Sequence, residues 1–90
     1  MLNKAKIHRL EEAARMMAEP ITPFGQEART ALVAQGDAHP RIMIETSAFG
    51  SDELNDVRKK AAQAGFAVVE WDVEPRSEGL VDVYLAMADN

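Results

Sequence analysis

Carboxylates are the side chains of this chain whose spacing invites chemistry. Glu70, Asp72 and Glu74 occupy alternate positions of one segment, and Asp82 and Tyr84 occupy alternate positions of the next. If both segments are strands, alternate residues share a face, and the five groups collect on one surface. Such a surface suits the docking of a cationic protein, and its hard oxygen atoms also suit weak binding of Mg²⁺ or Ca²⁺. The competing reading is a solvated face whose charges keep a sheet from aggregating. Glu45, on an earlier segment, is a further carboxylate within reach.

Other reactive groups are poorly placed. No cysteine is present, which removes thiolate nucleophiles, thiolate zinc sites and disulfides together. His8 and His39 stand alone, without a metal-ligand spacing, and no serine lies in a Gly-x-Ser-x-Gly turn. The run 46–51 follows a strand and opens a helix, where α/β proteins bind anions on free backbone N–H groups. It has one glycine and no lysine, and Asp52 and Glu53 repel an anion, so a helix start is the simpler reading. Arg58, Lys59 and Lys60 form the one basic run. They could touch nucleic acid, but beside Glu53 and Asp56 they read as a solvated helix face with i, i+4 pairing. Met16, Met17, Met43 and Met87 sit at core spacing and read as gap fillers. No catalytic constellation emerges, and neither a cofactor nor an enzyme is expected.

Composition sets the frame. The 90 residues are 47% apolar and 28% charged, with a net charge of -5, the balance of one globular domain spanning 1–90 rather than of a disordered tail. The negative charge lies in residues 51–90, whose formal sum is -5, while residues 1–20 sum to +1. This field argues against nucleic acid, whose phosphates require a basic surface, and for a basic protein partner. Glu11 and Glu12 interrupt the apolar stretch that a secretory leader needs after Lys4, Lys6 and Arg9. No apolar run approaches the roughly 20 residues of a membrane span. A cytoplasmic protein without membrane contact is expected.

The elements that must position the carboxylates follow from periodicity. Residues 3–19 form an amphipathic helix with Asn3 as N-cap, a stripe of Ile7, Leu10, Ala14 and Met17, and Pro20 as its stop. Thr22-Pro23 opens a second helix over 23–35, closed by Gly36. Residues 41–46 are a strand with Ile42 and Ile44 on one side and Arg41, Met43 and Glu45 on the other. Ser51 caps a helix running to about 64, with Leu54, Val57 and Ala61 buried and Gly65 as terminator. Residues 66–74 and 80–87 are strands joined by a loop over 75–79. Alternation pairs Val73 with Val81, Trp71 with Val83, Val69 with Leu85 and Ala67 with Met87 on an apolar face, and Asp72 with Asp82 and Glu70 with Tyr84 on the acidic one. Phe66, Val68 and Ala86 then point outward and need cover, from the N-terminal helices or from a second copy of the chain.

The expected fold is α+β: two N-terminal helices within 1–36, then a β-α-β-β unit over 41–88 with a three-stranded mixed sheet. Three charges on the second strand favour placing the third strand in the middle, a split β-α-β arrangement and half of a ferredoxin-like sandwich. The segment 41–73 resembles the opening half of ferredoxin-like regulatory domains, in which a strand, a loop, a helix ending in Gly and an aliphatic strand recur. That resemblance implies fold alone and assigns no functional residue. The leading functional expectation is a non-catalytic protein-binding module, a regulator or inhibitor that occupies a basic surface on a larger protein through Glu70, Asp72, Asp82, Tyr84 and Glu74. Small acidic proteins of phages and mobile elements can act in this way to block host machinery. The alternatives are a metal-dependent hydrolase using the acidic cluster and a nucleic-acid-associated protein using Arg58, Lys59 and Lys60.

Overall fold

The computed structural model describes residues 3–22, 29–33, 39–76 and 79–90. Helix α1 spans Lys4–Ala18. Its first turn is held as the sequence dictates, with Asn3 Oδ1 accepting from the Lys6 N–H at 2.8 Å. Leu10, Ala13, Ala14, Met17 and Ala18 form its buried stripe, and Glu11, Arg15 and Glu19 face solvent. Pro20 converts the end of the helix into a single 3-10 turn, Glu19–Ile21.

Strand β1, Thr30–Val33, replaces the second helix expected over 23–35; Arg29 before it has no regular structure, and 23–28 and 34–35 lie outside the described residues. The cap and stop signals at Thr22 and Gly36 were outweighed by pairing. Thr30 and Val33 are β-branched, and the segment ladders antiparallel onto the next strand with Leu32 opposite Ile42, where Leu32 packs against the core. Tertiary partners commonly override so weak a helical preference.

Strand β2 is Arg41–Thr46, helix α2 is Ser51–Gln63, strand β3 is Phe66–Pro75 and strand β4 is Val81–Asp89. Gly50 rather than Ser51 occupies the N-cap of α2, without a side-chain cap bond. Gly65, at φ +88, ends the turn after α2, as glycine alone does without strain. The sheet has four strands, not three, in the order β1-β2-β4-β3. Every neighbouring pair is antiparallel, so the sheet is not mixed. β2 and β3 therefore run the same way on either side of β4, which is the split arrangement with the last strand inserted. The order helix, strand, strand also occurs twice, as α1-β1-β2 and α2-β3-β4. The second strands of the two units pair at the centre.

Both helices cover one side of the sheet. Ile42 and Ile44 of β2 and Val83, Leu85 and Met87 of β4 are buried there with Leu10, Met17, Val57, Ala61 and Phe66. The far end of β2 is tied to the 3-10 turn by Thr46, which is 1% exposed and whose Oγ1 donates to the Ile21 carbonyl at 2.7 Å. The residue at the head of the 46–51 run is thus occupied in holding the fold, in keeping with the reading of that run as a helix start. Thr46→Val should cost about 1 to 3 kcal/mol, since it strands a buried carbonyl, and urea unfolding measures it. An unchanged midpoint would show that this bond is not needed.

The β3–β4 register departs from the alternating scheme in two ways. Above the middle of the hairpin it is displaced by two residues, pairing Val73 with Val83, Trp71 with Leu85, Asp72 with Tyr84 and Glu74 with Asp82. The Arg76 N–H donates to the Leu80 carbonyl at 2.8 Å, so three residues, ending in Gly79 at φ +75, connect that pair rather than five. A shift of two leaves each side chain on its face. The second departure does not: a bulge between Val68 and Glu70 sets Val68 opposite Met87. The extra residue absorbs one step of alternation and turns Phe66 and Val68 into the core, where Phe66 is fully buried. The expected exposure of those two side chains is corrected, and Val69, expected inside, is 50% exposed.

Candidate functional site

Among the described residues, no element covers the side of the sheet opposite the helices. Residues that alternate with the buried ones on β2, β4 and β3 point there: Arg41, Met43 and Glu45; Asp82, Tyr84, Ala86 and Ala88; Ala67, Glu70, Asp72 and Glu74. The five expected binding residues therefore share one face, although the expected opposition of Asp72 to Asp82 and of Glu70 to Tyr84 does not occur. Met43, read from the sequence as a gap filler, belongs to this face and is half-buried on it.

Two zones with different electrostatics divide the face. At the hairpin end, Glu45, Asp82 and Glu74 stand side by side across three strands, a row of like charges that is unfavourable unless offset. Arg76 offsets it. Its Nη1 bonds Glu45 Oε2 and lies 3.5 Å from Asp82 Oδ1, while Arg29 reaches the same Glu45 oxygen at 3.3 Å. The Glu45 and Asp82 side chains are only 19% and 16% exposed, and Asp82 Oδ1 has no hydrogen-bond partner among the described residues. Glu45 and Asp82 are thus paired within the protein, and Glu74 is in no ion pair among the described residues. Arg76→Met should cost about 1 kcal/mol, a small figure because the pair is partly solvated. The loss should grow at low salt, where the like charges are least screened. A thermal midpoint insensitive to both the substitution and salt would contradict this pairing.

The other zone is unpaired. Arg41, Ala86 and Glu70 lie in one cross-strand row, with Met43, Tyr84 and Asp72 beside them. Arg41 and Glu70 form no ion pair with the described residues. Asp72 Oδ1 accepts from the Val73 N–H at 3.0 Å, which leaves its second oxygen for other partners. Arg41, Glu70, Trp71, Asp72, Tyr84 and Ala86 line a shallow depression of about 210 Å³. Ala86 is 5% exposed although it faces outward: its small side chain is the floor, and longer neighbours form the walls. No described element covers it.

The same geometry explains the edge. β3 is the outermost strand, and ladder bonds alternate sides along an antiparallel strand, so Trp71, Val73 and Pro75 turn their backbone groups outward. Asp72 occupies the Val73 N–H and Pro75 has none to offer, which blunts this edge against pairing with another chain. On the helix side, ten strand residues extend about 33 Å against about 20 Å for the thirteen of α2. Trp71 and Val73 consequently remain 45% and 37% exposed. The Arg58 guanidinium lies 4.9 Å from the centre of the Trp71 ring, a cation–π contact. The expected i, i+4 pairing of the basic run is absent among the described residues, and Arg58 serves the sheet edge instead.

Among the described residues, no group of three or more His, Asp or Glu side chains is disposed to hold a metal ion. His8 and His39 are exposed. No helix of the described residues is long and apolar enough to cross a membrane. No family model matches the chain, and no match is found among the curated proteins or the solved structures.

Sequence reasoning put Ala86 on the outward face but missed Arg41 and Arg76 as parts of this surface. Arg41 and Ala86 become neighbours only through the β2–β4 pairing, which joins residues far apart in the chain, and local alternation carries no signal for it. Arg76 had a visible cue as the sole cation between two acidic strands.

Proposed function

We propose that this chain is a small non-catalytic binding module, a regulator or inhibitor that acts in the cytoplasm by laying the open face of its sheet against a basic surface of a larger protein. The observation that supports the reading is the zone around Tyr84, uncovered by any described element, where Glu70 and Asp72 form no ion pair among the described residues and stand beside Met43, Ala86 and Ala88. Charged groups at the margin of a small apolar and aromatic patch are the composition of a recognition surface: the charges steer and select, and the tyrosine supplies contact area at low entropic cost. Within the expected set, Glu70, Asp72 and Tyr84 are the contacting residues, Glu74 lies at the rim, and Asp82 acts indirectly by holding Arg76.

Affinity capture from the native cell, with Glu70→Lys/Asp72→Lys as the comparison, tests the reading. A protein retained by the wild-type chain, released by salt and lost to the variant is the expected result. Retention of the same protein by the variant would overturn it.

A further inference from the structure

The depression over Ala86 has opposite charges on opposite walls, and this narrows the partner chemistry. We infer that it takes a chain-terminal arginine of the partner: the guanidinium between Glu70 and Asp72, the α-carboxylate on Arg41, and the aliphatic stem over Ala86 and against the Tyr84 ring. This rests on the proposed binding role of the open face and adds an anchor point to it.

Complementarity carries the inference. Arg41 and Glu70 flank Ala86 in one row, two strand spacings apart, or about 9.6 Å between backbones, and their side chains wall the depression between them. A ligand that is only cationic satisfies Glu70 and meets repulsion from Arg41; one that is only anionic meets the converse. A terminal arginine carries both charges at the two ends of one extended stem. Its planar fork matches a carboxylate in bidentate fashion, stacks on an aromatic ring, and buries its stem on apolar surface. The floor accepts that stem because residue 86 is alanine, buried to 5% exposure by its neighbours alone.

The test is an NMR titration of the full chain with Nα-acetyl-arginine, which has a cationic side chain and a free carboxylate, and with Nα-acetyl-arginine amide, which lacks the carboxylate. At millimolar concentration the acid should shift the Ala86 methyl and the Tyr84 ring together while leaving the Trp71 indole, on the helix-facing side, unmoved, and bind about tenfold more tightly than the amide. Arg41→Gln should erase that difference, Glu70→Gln should weaken both ligands, and Ala86→Leu, which fills the depression without changing charge, should abolish the shifts. Equal binding of acid and amide, or shifts scattered over carboxylates on both sides of the molecule, would overturn the inference. The proposed binding role fails separately. If the captured protein is lost to Glu70→Lys/Asp72→Lys but bound normally by Ala86→Leu, the anchor is wrong and the face remains the docking surface. Normal capture by the charge-reversed chain removes the role itself.

Discussion

Phe66→Ala is expected to cost about 3 to 5 kcal/mol, the range for deleting a buried aromatic ring, while Val69→Ala, a few residues along the same strand, is expected to cost about 0.5 kcal/mol. The contrast follows from the bulge between Val68 and Glu70. It places Phe66 at zero exposure and Val69 at 50%, whereas unbroken alternation would exchange their environments. Against a total stability of about 5 to 15 kcal/mol for a domain of this kind, the first variant should be close to unfolding and the second close to wild type. Part of the Phe66 loss is its contact with α1, where the Arg9 guanidinium lies 4.9 Å from the ring centre. Urea unfolding measured by circular dichroism gives both values. A larger cost for Val69→Ala would contradict the register on which the whole description of the two faces depends.

Glu70→Lys/Asp72→Lys should weaken the captured partner by about a hundredfold or more, taking about 1.4 kcal/mol for each tenfold step and one such step for each reversed charge at a complementary contact. Stability should change by no more than about 0.5 kcal/mol, because both side chains are exposed and neither forms an ion pair among the described residues. Asp82 is a poor choice for the same experiment. Its carboxylate lies 3.5 Å from Arg76 in a row with Glu45 and Glu74, and reversing it would disturb that end of the hairpin as well as the surface. Calorimetry with the purified partner gives the affinity, and denaturation of the free variant controls for folding.

Much of this surface was legible because strand alternation is a local property. Trp71 and Val83 share the helix-facing side, and Glu70, Asp72, Glu74, Asp82 and Tyr84 share the other, even though the hairpin register lies two residues from the expected one. An even shift preserves faces, so the error left them intact. The bulge was visible in principle: Val68 and Val69 are adjacent apolar residues at the point where Phe66 and Val68 lose phase with Trp71 and Val73. A strand that places both sets inside must absorb one residue there.

Strand β1 was not legible. Its four residues, Thr30–Val33, lie between strong helix punctuation at Thr22-Pro23 and Gly36, and their strand conformation exists through β2. The position of Arg76 between Glu45 and Asp82 likewise depends on strands brought together by the fold. For that reason the acidic face, which reads from sequence as one uniform patch, is half neutralised. Its unpaired zone is smaller and more amphoteric than composition suggests.

Cross-saturation NMR on the complex with the captured protein tests directly which side of the sheet meets the partner. Saturation transferred from the partner should reach the methyl groups of Met43, Ala67, Ala86 and Ala88 on the open face and spare those of Ala5, Ala62 and Val69, which are exposed elsewhere. Transfer to Ala5, Ala62 or Val69 with the open-face methyls silent would contradict the account.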